Sequence, residues 1–115
     1  MRTMRVKRRF YGLLQSGKKI LEVRVGYDST NRIQVGERIR LVIHTEIFEN
    51  ESFEVKVSNI RRYKTFKEMI NMETWERIAH DPRPRNEVLA LFQQIYPADK
   101  EKLGVVVFEF TRIGK

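Results

Sequence analysis

Gly17-Lys18-Lys19-Ile20-Leu21-Glu22-Val23-Arg24-Val25 is where the chain passes from a helix pattern to a strand pattern. Upstream, Phe10, Leu13 and Leu14 repeat at the i, i+3, i+4 spacing of one helix face. Gly17 is suited to the left-handed residue that ends such a helix, and Lys18 and Lys19 complement its negative end. Downstream, Leu21, Val23 and Val25 alternate with Glu22 and Arg24, the two-residue period of a strand.

The remaining patterns extend this mixture. Residues 26–36 are polar and turn-rich. Arg38 to His44 read as a second strand, with Ile39, Leu41 and Ile43 on one face. Glu49-Asn50-Glu51-Ser52 is hairpin-like. Phe53, Val55 and Val57 alternate with polar residues in a third strand that runs to about Tyr63. Thr65-Phe66-Lys67-Glu68 is a capping-box pattern, and Phe66, Met69 and Ile70 follow at helical spacing. Asp81-Pro82-Arg83-Pro84-Arg85-Asn86 breaks the chain. Val88, Leu91, Phe92 and Ile95 then form the strongest amphipathic helix, closed by Pro97, and Gly104 to Phe110 predicts a buried strand. This order predicts one α+β domain over residues 1–115, a small curled sheet or partial barrel flanked by about three helices.

Composition narrows the chemistry. The 115 residues contain no cysteine, which excludes disulfides, thiolate metal sites and a thiol nucleophile and fits a reducing, cytoplasmic setting. No apolar run is long enough for a membrane span or a secretory signal. A charged fraction of 33% without cysteine is compatible with a heat-loving source. The net charge of +8 is concentrated at one end: residues 1–21 hold seven cations and no acid, leaving 16 basic and 15 acidic side chains in the other 94 residues. Such a basic arm attracts polyanions in a salt-dependent way, or serves as a solubilising terminus.

Strict alternation places Lys18, Ile20, Glu22 and Arg24 on one strand face, with Glu22 and Arg24 about 7 Å apart. A carboxylate beside a guanidinium fixes its direction, so that the fork grips a phosphate or a base edge. The same pair on an open face is an ordinary solvated ion pair. Lys19, next to the Gly17 turn, is free to take either face. Arg61-Arg62-Tyr63-Lys64 is a second basic cluster, in which Arg61 and Tyr63 offer planes for stacking on unpaired bases. His44 and His80 are the only histidines and lack metal-ligand spacing, so no metal is expected. No phosphate-cradling glycine motif or nucleophile elbow is present, and no cofactor is implied. Glu73, Glu76, Asp81 and Glu87 are candidate acids, although acids are common in first helical turns.

Taken together, Phe10-Tyr11-x-x-Leu14-x-Ser16-Gly17-Lys18-Lys19-x-x-Glu22-x-Arg24, Ile33-x-Val35-Gly36-Glu37-x-Ile39, Val55-x-Val57-x-x-Ile60-x-x-Tyr63-x-x-Phe66, Ile95-Tyr96-Pro97 and Gly104-Val105-Val106-Val107-Phe108 resemble an ASCH domain of the PUA-like superfamily. Glu37 departs mildly, since the family usually has aspartate there. The resemblance implies a small mixed β-barrel with the Gly-x-Lys-x-x-Glu-x-Arg stretch lining a cleft, and RNA or a nucleoside as partner. Lys18, Lys19, Glu22 and Arg24 would then be the ligand contacts, with Arg61 and Tyr63 beside them.

Some bacterial relatives are amidohydrolases that deacetylate N4-acetylcytidine. Their catalytic lysine matches Lys19, their threonine falls at Glu22, and their glutamate falls close to Asp81, with Glu76 and Glu87 as looser matches. With Glu22 in place of the hydroxyl, the implied chemistry lacks its nucleophile. The leading expectation is therefore an RNA-binding module. The alternative is a hydrolase of modified nucleosides that uses Lys19, Glu22 and Asp81.

Overall fold

The structure, a computed structural model, describes residues 2–6, 12, 14–17, 21–43, 51–73 and 84–113. Within these, the order is β1 (Arg2–Arg5), β2 (Leu21–Val25), α1 (Asp28–Asn31), β3 (Arg38–Ile43), β4 (Glu51–Tyr63), α2 (Phe66–Met72), α3 (Arg85–Ile95), α4 (Ala98–Glu101) and β5 (Val105–Arg112). The strands form one mixed sheet in the order β1-β3-β4-β5-β2. β1 runs parallel to β3, and every other pair is antiparallel. The α+β half-barrel expected from the element order is the observed architecture.

Two apolar layers sandwich the sheet. Inside the curl, Met4, Ile39, Leu41, Val55, Val57, Val106, Phe108 and Phe110 form one core. On the outer surface of the β2–β5 side, Leu21, Val23, Val25, Val105 and Val107 pack beneath Phe66, Met69 and Ile70 of α2 and Val88 of α3. This explains the unbroken apolar run of β5: Val105 and Val107 serve the outer core while Val106 and Phe108 serve the inner one, so both faces are buried. The strand that follows Gly17 pairs with this last strand, Leu21 opposite Glu109 and Val25 opposite Val105.

The helix ends follow local chemistry. Gly17 adopts φ 80° and its N–H donates to the Leu14 carbonyl at 3.2 Å, the expected glycine stop. Thr65 caps α2 by accepting from the Glu68 N–H at 3.1 Å. The Phe66 N–H, another orphan of that first turn, donates to the Glu101 carboxylate of α4 at 2.8 Å.

Three features differ from the sequence patterns. The turn-rich segment after β2 contains the short helix α1. The stripe by which α3 packs runs through buried Val88 and half-buried Leu89, Phe92 and Tyr96 rather than through Leu91 and the exposed Ile95, because Phe92 and Tyr96 stack on Phe66. β4 also carries a bulge between Val57 and Asn59, which exchanges its inward and outward positions. Phe10, Leu13, His44, the start of the Glu49–Ser52 turn, His80 and Asp81 to Arg83 lie outside the described residues.

Candidate functional site

β1 and β2 are the two ends of the sheet, yet the curl brings them within reach of one side chain. Arg24 of β2 donates from Nη2 to the Arg5 backbone carbonyl of β1 at 2.6 Å. The same guanidinium donates to Glu22 Oε2 from Nη2 at 2.7 Å and from Nε at 3.1 Å. Glu22 lies opposite Phe108 and Arg24 opposite Val106, so both point to the concave side with the inner core. The Glu22 side chain is 9% exposed, and Arg24 sits at the rim with 26% of its side chain accessible.

This is not the open-face ion pair that alternation alone allows. Glu22 and the Arg5 carbonyl hold the guanidinium plane from two sides, and charge-assisted contacts of this kind are strong. Among the described residues, Arg24 Nη1 has no hydrogen-bond partner, and no buried side-chain polar atom lacks one. The oriented guanidinium thus lies at the mouth of the half-barrel with part of its side chain accessible.

Tyr96, at the end of α3, packs on Phe66 in the outer core and feels the charges of this pair. Burial pushes its hydroxyl pKa up, the Arg24 charge pulls it down, and Glu22 and Tyr27 raise it further. The Tyr27 ring is exposed, and Lys100 Nζ lies 5.7 Å from its centroid. The turn bearing Tyr27 is fixed by close backbone approach: a Cβ on Gly26 would lie 2.4 Å from the Leu103 carbonyl, which excludes any other residue there without movement. Asn31 Nδ2 donates to the Gly26 carbonyl at 2.9 Å, and Arg62 Nη1 donates to Asn31 Oδ1 at 2.5 Å. Tyr96 is thus within electrostatic reach of Arg24, Glu22 and Tyr27, and Lys100 lies over the Tyr27 ring.

Arg61 and Tyr63 lie on the other side of the sheet. Arg61 donates to both oxygens of Glu73, from Nε at 2.5 Å and Nη2 at 2.9 Å, and to Glu109 from Nη1 at 3.1 Å. The Tyr63 hydroxyl donates to Glu73 Oε2 at 2.5 Å. Glu73, at the C-terminal end of α2, is buried. Its hydrogen bonds to Arg61 strengthen the guanidinium's hold on its proton, whereas burial opposes this. Burial, followed by the Glu73 hydrogen bond, pushes the Tyr63 pKa up to about 12.

The six residues that sequence reading grouped as ligand contacts therefore do not form one set. Glu22 and Arg24 meet on the concave side, whereas Arg61 and Tyr63 are bound to Glu73 on the convex side. Lys18, Lys19 and Asp81 lie outside the described residues, as does Glu76, and Glu87 is exposed on the first turn of α3. Sequence reading missed Tyr27 and the contribution of Tyr96, which depend on how α3 and the Gly26 turn return to β2. Among the described residues no cluster of three acidic or histidine side chains could hold a metal ion, and no helix is long and apolar enough to cross a membrane.

The model of the ASCH domain matches residues 4–114. The fold is similar to the crystal structure of the hypothetical protein PH0355, with a TM-score of 0.80 at 28% identity over 96% of this chain and 97% of that one. It is also similar to the solution structure of protein PF0455 from Pyrococcus furiosus, with a TM-score of 0.74 at 24% identity over 99% of this chain and 98% of that one. The comparison with curated proteins finds no match.

Proposed function

Because the chain belongs to the ASCH domain family, we propose that it binds RNA, or a nucleoside within RNA, at the rim built on Glu22 and Arg24. The family is associated with RNA binding. The observation that carries the assignment to this site is the Arg24 guanidinium, held by Glu22 and the Arg5 carbonyl while part of its side chain stays accessible at the rim. A prepositioned guanidinium donates to a phosphate or base edge without first losing side-chain freedom. Exposed Tyr27 offers a face for an unpaired base, and Lys100 adds positive charge beside it. Lys18 and Lys19 precede this strand and belong to the same proposed contact region. Arg61 and Tyr63, engaged with Glu73, have a supporting role in this proposal rather than a contacting one.

The hydrolase alternative requires Glu22 to act as a base. Its two contacts with Arg24 favour an orienting role for that carboxylate over proton transfer.

A single-stranded RNA titrated against the wild-type chain and Arg24→Lys, across a salt series from 50 mM, tests the proposal. Wild type is expected to bind at low micromolar concentration in ~50 mM salt, with affinity falling as salt rises. Lysine keeps the charge but not the fork, so Arg24→Lys is expected to bind roughly 10-fold or more weakly, with a nearly unchanged salt slope. No binding by wild type, or equal binding by Arg24→Lys, refutes it.

A further inference from the structure

The helices α2 and α3 cover only the β2–β5 side of the sheet's outer surface. Among the described residues no helix packs on the outer surface of β1, β3 and the first half of β4, and Arg5, Arg38, Arg40 and Lys56 stand exposed on it. We infer that this convex sheet face is a second contact surface, taking the sugar-phosphate backbone of a nucleic acid.

The charges on this face pair unevenly across the ladder. Arg40 lies opposite Glu54 and contacts it at 3.4 Å, the usual complementary arrangement of a solvated strand pair. One rung along the same face, Arg38 lies opposite Lys56. Like charges directly opposite each other destabilise a sheet. Among the described residues no acid bonds to either: Glu54, the acid on the next rung, contacts Arg40, and Glu37 is committed to Arg2 at 2.5 Å and to the Gln34 N–H at 3.2 Å. Arg38 and Arg40 are two residues apart on one strand, about 7 Å, and Arg5 continues the positive charge onto the adjoining strand. A polyanion laid across the three strands neutralises the repulsion that folding leaves in place.

The type of polyanion follows from what else the face presents. The described residues of this face are Thr3, Val42, Ser52, Ser58 and Thr111 besides the charged ones, with no aromatic side chain for base stacking. Cations and hydroxyls without an aromatic plane fit phosphate and sugar contacts, which set position without reading sequence. The face is also distinct from the Arg24 rim, which opens on the concave side, so one surface can act without the other.

Lys56→Glu tests the inference, because it turns the repulsive rung into an attractive one. Binding of a 20-nucleotide single-stranded RNA is measured across a salt series, together with thermal unfolding. Loss of the Lys56 contact and diversion of Arg38 to the new carboxylate is expected to make the slope of log affinity against log salt shallower by about 1.4, at roughly 0.7 per phosphate contact. At 0.1 M salt that is roughly a 25-fold weaker complex, taking 1 M as reference. The midpoint of unfolding is expected to rise by roughly 2–4 °C. Lys56→Gln gives about half the binding effect with less change in unfolding. An unchanged affinity and slope in both variants overturns the inference, as does equally tight binding of polyglutamate to the wild type. If Arg24→Lys weakens binding while Lys56→Glu does not, the rim reading stands and this one falls. The converse result leaves this one standing alone.

Discussion

Phe66→Ala is expected to cost about 4 kcal/mol of unfolding free energy, the usual penalty for emptying a buried phenylalanine site. Phe66 is fully buried and opens α2. Its ring stacks on Phe92 at a centroid distance of 5.2 Å and on Tyr96 at 5.6 Å. It therefore joins α2 to both ends of the α3 contact, and such ring pairs add to simple area burial. The loss should appear as a lower urea midpoint at an unchanged m-value. Tyr96 lies within electrostatic reach of Glu22 and Arg24, so the variant should also bind RNA more weakly than its folded fraction alone explains. Phe66→Leu fills much of the volume and should recover most of the stability without restoring the stack on Tyr96.

Glu73→Ala should cost about 2 kcal/mol, because it removes a buried acceptor of three hydrogen bonds, leaving Arg61 only Glu109 and the Tyr63 hydroxyl without its acceptor. Three donors converge on that carboxylate, two from Arg61 and one from Tyr63. Glu73→Gln keeps the volume and one acceptor and should fall between wild type and alanine. The substitution also has a pH signature. The Tyr63 pKa is raised in the folded state to about 12, so its stabilising contribution is complete below the unfolded value near 10 and is lost as pH rises through 12. Without Glu73 the pKa should move back toward the ordinary value. The alkaline ionisation of Tyr63, followed by ultraviolet absorbance, should then begin earlier, and the stability gap between variant and wild type should narrow above pH 10.

The elements were legible wherever one period governed one segment. Leu21-Glu22-Val23-Arg24-Val25 alternates because one face meets α2 and α3 while the other meets the inner core, and the strand was recognisable on that ground. Gly17 and Thr65 act through backbone chemistry that their neighbours already specify. Glu22 and Arg24 were placed correctly on one face, but nothing in their spacing said that the face was concave, since that follows from the curl that brings β1 to β2.

Arg61 and Tyr63 illustrate the other limit. Counted from Val57 by twos, they fall on the inner face. The extra residue in the bulge, where the Ser58 hydroxyl donates to the Glu109 carbonyl at 2.9 Å, turns Ile60 inward and sends Arg61 and Tyr63 outward to Glu73. A bulge of one residue leaves no mark on composition or periodicity, yet it decides which side of the sheet a charge cluster serves. In α3 the true stripe was displaced because Phe92 and Tyr96 are selected by a long-range partner, Phe66, that helical spacing does not include.

The assignment of the rim as the ligand site is best examined by titrating a short single-stranded RNA into isotope-labelled Lys56→Glu protein, in which the convex face is weakened, and following amide and arginine Nε–H signals. The largest shifts are expected at Glu22, Arg24, Tyr27 and Tyr96, with the Arg24 Nε–H among them. Saturable shifts confined to other surfaces, with these four residues unmoved at full binding, would contradict the assignment.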